Sequence, residues 1–217
     1  MKYILVFSLA AFLFGGCIKT NYIDMGLADG NYDGTLLDYL ESCPGTWDSA
    51  VVAIRHAGLE SLFDGTSGEY PDGITFFGFT NYSVRNFLYE TRDAMWQQMY
   101  RSVREIPADV CCRMVLQYVI PGRYVLDDFA YEVKGDYRPG DPMVKGGTEM
   151  QSLAGLPLVV FRTHTPYNGV PDAGPDRLGI YSPVPGREVK AGVASCNIVT
   201  RNAVVHALET AYIWKEL

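Results

Sequence analysis

Ile74-Thr75-Phe76-Phe77-Gly78-Phe79-Thr80-Asn81 is a short, nearly continuous apolar run that ends abruptly in two polar residues. A run of this length without alternation is the pattern of a strand buried on both faces. Thr and Asn at its end are helix-starting types, because their side-chain oxygens accept from the N–H groups that a first helical turn leaves open. The stretch therefore predicts a core strand that turns straight into a helix, with Asn81 or Ser83 as the cap.

Working outward, Val84, Phe87, Leu88, Met95, Met99 and Val103 recur at helical spacing, with Arg85, Arg92, Asp93, Gln97 and Arg101 between them. This predicts one amphipathic helix over Val84–Arg104, with its Met residues and Trp96 packed in the core. Pro107-Ala108-Asp109 opens another helical stretch through Leu116, followed by an extended Tyr118-Val119-Ile120 that Pro121-Gly122 stops. Upstream, Thr35–Leu40 reads as a short helix capped by Asp33 or Thr35, and Trp47–Phe63 as a second helix interrupted near Gly58. Downstream, Gly and Pro become dense. Strand-like runs appear at Tyr124–Leu126, Phe129–Val133, Leu156–Phe161, Leu178–Tyr181, Glu188–Val193, Asn197–Val199 and Val204–Leu208, and Pro166–Asp176 has the composition of a surface loop. Helices first and strands later predict an α+β fold.

The other end of the chain speaks to location. Met1-Lys2, the apolar run Tyr3–Phe14 and Gly15-Gly16-Cys17 have the layout of a secretory signal. The run is too short to span a bilayer. Its ending resembles a bacterial lipobox, although Phe14 stands where Leu is usual. The expectation is a signal peptide over 1–16, a lipid-modified Cys17, a tether over 17–32 and one domain over 33–215. A formal net charge of −7 disfavours nucleic acid as a partner. Cys43, Cys111, Cys112 and Cys196 allow either free thiols or a bridge, since no zinc-type spacing is present.

Three of the stretches above resemble the signature blocks of fasciclin domains. Ile74–Asn81 resembles the first block, a buried strand ending in Thr80-Asn81 and leading into a helix. Tyr118-Val119-Ile120-Pro121-Gly122-Arg123-Tyr124 resembles the middle block. Asn197-Ile198-Val199-Thr200-Arg201-Asn202-Ala203-Val204-Val205-His206-Ala207-Leu208 resembles the closing block. Thr35–Leu40 and Ser152–Leu158 add weaker echoes. The resemblance implies a fasciclin-like α+β fold, with N-terminal helices packed on a β-sandwich or wedge formed largely by the second half. It marks Thr80, Asn81, Tyr118, Pro121, Gly122, Asn197, Asn202 and His206 as structural positions. His206 alternates with Val205 and Ala207, so it is expected as a buried polar group bonded to backbone near Thr80-Asn81. Gln117 and Tyr118 stand where the family often has the Tyr-His pair linked to integrin adhesion, so that mode is not implied here. Ala203 replaces the usual Gly of the closing turn.

No G-x-S-x-G elbow, H-E-x-x-H pair or phosphate-cradling glycine loop is present, so no catalytic, cofactor-binding or metal-binding residue is assigned. Ser67, Asp127-Asp128, Asp136, Asp141, Asp172 and Asp176 read as turn chemistry and solvated charge. The expected function is that of a lipid-anchored, non-catalytic interaction module in the envelope of a Gram-negative bacterium, at the outer membrane, binding a protein or glycan. The alternative is an accessory polysaccharide-binding lipoprotein of a nutrient-uptake system, with Trp47, Trp96, Tyr137 or Tyr167 stacking on sugar rings.

Overall fold

The computed structural model describes residues 30–135, 141–185 and 188–215. The signal sequence, Cys17 and most of the expected tether lie outside them, as do Asp136 and Tyr137.

Thr35 starts the first helix, α1 (Leu36–Ser42), through a reciprocal cap: its hydroxyl accepts from Asp38 N, and the Asp38 carboxylate accepts from Thr35 N. Cys43 alone separates α1 from α2 (Pro44–His56), and Pro44 occupies a first-turn position where its missing N–H is harmless. The expected interruption is real. Gly58 takes a φ of 69°, and a short α3 (Glu60–Phe63) follows.

Five helices and seven strands make up the described residues. β1 (Ile74–Gly78) is buried at every position. It lies between an antiparallel β2 (Val119–Pro121) and a parallel β7 (Ala203–Leu208). From β7 the sheet continues antiparallel through β6 (Val189–Val199), β5 (Asp176–Ser182), β4 (Pro157–His164) and β3 (Thr148–Gln151). β6 is shared: Val189–Gly192 pair with β5, whereas Val193 onward pairs with β7 across two register shifts. Such bulges bend a strand and let one sheet turn a corner, which gives the mixed sheet its wedge form. α2 lies on the sheet where Gly78 leaves room for Trp47; a Cβ at that glycine would sit 2.7 Å from the indole. The core fills the space between helices and sheet, with Leu36, Trp47, Phe63, Phe76, Phe79, Tyr118 and Trp214 all buried.

Several expectations change. The predicted helix over Val84–Arg104 stops early, as α4 (Asn81–Glu90). Thr91 turns to extended backbone, and its hydroxyl donates to Phe87 O at 2.7 Å. Asp93 then takes the N–H groups of Met95 and Gln97, each at 2.8 Å, offering the backbone a local alternative to helical bonds. Val103 is buried, but in a separate 3₁₀ turn, and Met95, Trp96 and Met99 are exposed rather than in the core. Tyr124–Leu126 and Phe129–Val133 lie outside the strands. In the first half side-chain oxygens take the N–H groups, Thr75 Oγ1 from Tyr124 N, Asn197 Oδ1 from Leu126 N and Thr148 Oγ1 from Ala130 N, whereas Tyr131 and Glu132 make only isolated β-bridges, to Arg162 and Gly146. The next helix forms as expected, α5 (Ala108–Leu116). Cys43, Cys111, Cys112 and Cys196 all carry free thiols. Cys111 is buried against Ala53 O, and burial pushes its thiol up to about 12.

Candidate functional site

The eight marked positions act where elements meet. Thr80, not Asn81, is the N-cap of α4, accepting from Ser83 N. Asn81 instead reaches across to α2: its Oδ1 accepts from Ser49 N at 2.7 Å and its Nδ2 donates to Pro44 O. Tyr118 is fully buried; its hydroxyl donates to Lys215 O at 2.8 Å and accepts from the Tyr212 hydroxyl at 2.5 Å. After Pro121, Gly122 takes a φ of 89°, and a Cβ there would meet the Tyr124 ring at 2.8 Å. Thr75 closes that turn by donating to Gly122 O. Asn202 bonds Leu36 N and Phe63 O. Gln117 and Tyr118 are both buried, so they offer no adhesive surface.

His206 is buried and bonded to backbone, but to different groups than expected. Its Nδ1 accepts from Asn197 N at 3.3 Å, which leaves the proton on Nε2 to donate to Tyr124 O at 3.0 Å. The ring stacks on Phe77, its register partner on β1. Loss of solvation holds its pKa down at about 4.

Asn197 sits in the β6 bulge at φ 63°, a left-handed conformation that Asn tolerates and β-branched residues do not. Asn197→Val is therefore expected to lose about 2 kcal/mol, combining backbone strain with the lost acceptor for Leu126 N. Asn197→Gly, which removes only the side-chain bond, should lose less. Urea unfolding midpoints of the two variants measure this, and equal midpoints would overturn it.

The exposed apolar surface missed from the sequence lies on α4 and the segment after it. Arg92 and Gln98 form a β-bridge, Asp93 N donates to Gln97 O, Trp96 N to Asp93 O, and Met99 N to Thr91 O. Gln98 Nε2 fastens this hairpin to Leu88 O and Tyr100 O. At its tip Trp96 is held at φ 62° with 84% of its surface exposed, beside Met95 at 79%. Trp47 and Trp214, by contrast, are 2% and 0% exposed. Tyr82, Tyr89, Met95, Trp96 and Met99 make up half of the large exposed apolar side chains of the described residues. Arg85 lies over the Tyr82 ring and Arg92 over the Tyr89 ring, at 4.6 and 5.1 Å from the centroids. An open cleft of about 430 Å³ between α2 and α4 adjoins the patch through Tyr82, Arg85 and Leu88. The available sequence signal was Thr91 and Asp93, two residues that favour local backbone bonds inside a helical pattern.

A charge network joins the loop between β4 and β5 to the chain before β3. Asp176, expected as a solvated turn residue, is in β5 and accepts from Arg162, from the Tyr131 hydroxyl at 2.7 Å and from His164 Nδ1 at 2.5 Å. The Arg162 bond, then that of Tyr131, holds its carboxyl below the usual carboxylate range. Lys134 pairs with Asp172, and Asp127 with Arg162. All these charges have partners, so the network fixes the loop. Among the described residues, no group of three or more His, Cys, Asp or Glu is placed to hold a metal ion.

No family model matches the chain, and no curated protein matches it. Its fold is similar to that of a FAS1 domain pair from the insect cell adhesion molecule fasciclin I, at 10% identity and a TM-score of 0.46. The likeness covers 83% of this chain and 46% of that one, so the chain spans about half the length of the pair. The α+β architecture agrees with the expectation, and the stretches resembling fasciclin blocks fall on β1, β2, β6 and β7, four neighbours in the sheet.

Proposed function

We propose that this fasciclin-like chain is a lipid-anchored, extracytoplasmic interaction module of the cell envelope, which holds a partner protein through the Trp96 hairpin and performs no chemistry. The observation that carries this reading is the hairpin itself. Trp, Tyr, Met and Arg are the residue types enriched at the centres of protein interfaces, and here they are concentrated on a backbone already ordered by its own hydrogen bonds. Ordering the loop in advance lowers the entropy lost on binding.

The anchor is Cys17, and the location is the outer membrane of a Gram-negative bacterium. Cys17→Ala should move the chain from the membrane to the soluble fraction. Trp96→Ala should weaken partner binding by about 2 kcal/mol, roughly thirtyfold, with an unchanged melting temperature. A photo-reactive residue at position 96 in intact cells should give one discrete protein adduct, and purified partner should then bind the full chain but not the Trp96→Ala variant. A second reading, polysaccharide binding for nutrient uptake, is favoured by exposed Trp96 and Tyr167. Trp96-dependent signals on a glycan array, with no protein adduct, would replace the first reading by the second.

A further inference from the structure

We propose that a cleft beside α3, separate from the hairpin, binds the acidic sugar units of a glycan. The cleft has a volume of about 420 Å³ and lies where the loop after α3 meets the turns that follow β2 and β6. Ser67, Tyr70, Asp72, Gly73, Arg123 and Arg201 line it.

Its floor is built and rigid. Asn202, beneath it, has both ends of its amide committed to Leu36 N and Phe63 O. Gly73 is at φ 77°, and a Cβ there would come within 2.7 Å of the Arg123 stem, so glycine is what lets that side chain lie across the floor. The Arg123 guanidinium is aimed by its bond to Thr200 O at 3.0 Å. Arg201 is held only loosely, 4.0 Å from an exposed Asp33 carboxylate, and its backbone N–H is bonded to Gly34 O.

The chemistry of these groups selects a ligand. Two arginine residues line one cleft of a chain with net charge −7, and the planar donors of each match a carboxylate or a sulfate. Burial raises the Tyr70 phenol pKa above its ordinary value, so at neutral pH it keeps its proton and serves as a donor beside an apolar ring face. Ser67 and Asp72 add a hydroxyl and a carboxylate suited to sugar hydroxyls. An aromatic wall with a few converging polar groups, in a short cleft, fits a ring-shaped ligand better than an extended peptide.

The experiment is calorimetric titration of the full chain with trigalacturonate, a sulfated trisaccharide and a neutral maltotriose. Trigalacturonate or the sulfated sugar is expected to bind, to weaken as salt is raised, and to lose roughly tenfold or more in affinity with Arg201→Gln. Arg201 is exposed and its backbone bond survives the change, so that variant should keep its melting temperature. Arg123→Gln, read beside its own melting curve, should show the same loss. Which acidic sugar binds assigns the anion as carboxylate or sulfate. The proposal is overturned if neither acidic sugar binds, if maltotriose binds equally, or if both arginine variants bind as well as the native chain. Arginine-dependent binding of a peptide with a free C-terminal carboxylate, in place of the sugars, would overturn it in favour of a protein tail.

Discussion

Asn202→Ala is expected to lower the unfolding free energy by about 3 kcal/mol and the thermal midpoint by roughly 10 °C. The half-buried Asn202 amide joins three elements that are remote in sequence. Its Oδ1 takes the N–H of Leu36 at 2.8 Å, one of the donors that the first turn of α1 leaves open. Its Nδ2 gives to Phe63 O at 3.0 Å, the carbonyl at the end of α3. Its own backbone carbonyl accepts from Ile74 N, at the start of β1. Alanine keeps the last bond and strips the other two, leaving a helix donor and a helix acceptor without partners. Asn202→Asp separates the two halves. It keeps an acceptor for Leu36 but sets a carboxylate against the Phe63 carbonyl, so it should be no better than alanine. Circular dichroism melting decides this, and a midpoint within a degree or two of the native one would show that the amide joins nothing of consequence.

Acid should weaken the fold through His206 before it reaches most of the carboxylates. Above a pH of about 6.5 the imidazole is neutral in both the folded and the unfolded chain and adds no pH dependence. Between about 6.5 and 4 the unfolded chain takes up a proton that the buried ring refuses, so stability falls as pH is lowered. The slope is about 1.4 kcal/mol per pH unit, and the total about 3 kcal/mol. Below about 4 both states carry the proton and the loss levels off. Protonation is unfavourable for a geometric reason as well, since Nδ1 already faces the Asn197 N–H donor. A His206→Leu variant, although less stable at neutral pH, should show a flatter profile across that window. Urea midpoints measured from pH 4 to 7.5 test this; parallel profiles for the two chains would show that the ring does not carry the proton linkage.

The sequence was most legible where one physical signal acted alone. Ile74–Gly78 needed only a nearly continuous apolar run, and Val204–Leu208 a run interrupted by His206 alone, so β1 and β7 are where they were expected. Gly58 marked a helix limit through backbone geometry alone. The reading failed where side chains compete with backbone partners. Met95, Met99 and Val103 continue the helical period of Val84–Leu88, yet Thr91 and Asp93 capture the carbonyl and N–H groups that the helix would need. Tyr124–Leu126 and Phe129–Val133 look strand-like by composition, but Thr75, Asn197 and Thr148 take the N–H groups of Tyr124, Leu126 and Ala130 from elsewhere in the chain, and only Tyr131 and Glu132 keep isolated β-bridges. β3 is a four-residue polar edge strand with no apolar period to find. Of the sugar-stacking candidates, Trp47 is core and Trp96 surface, a difference set by the helix end at Thr91 rather than by the residue itself.

The position of β7 has a consequence for how the chain comes to be made. Among the described residues it is the seventh strand in chain order, yet it sits between β1 and β6, so β1 waits for a parallel neighbour more than 120 residues further along. Closing so long a loop is slow compared with local pairing. Until Ala203–Leu208 pairs, the helical half has an unfilled slot beside β1, and a chain cut short before Ala203 has two open edges in place of a sheet.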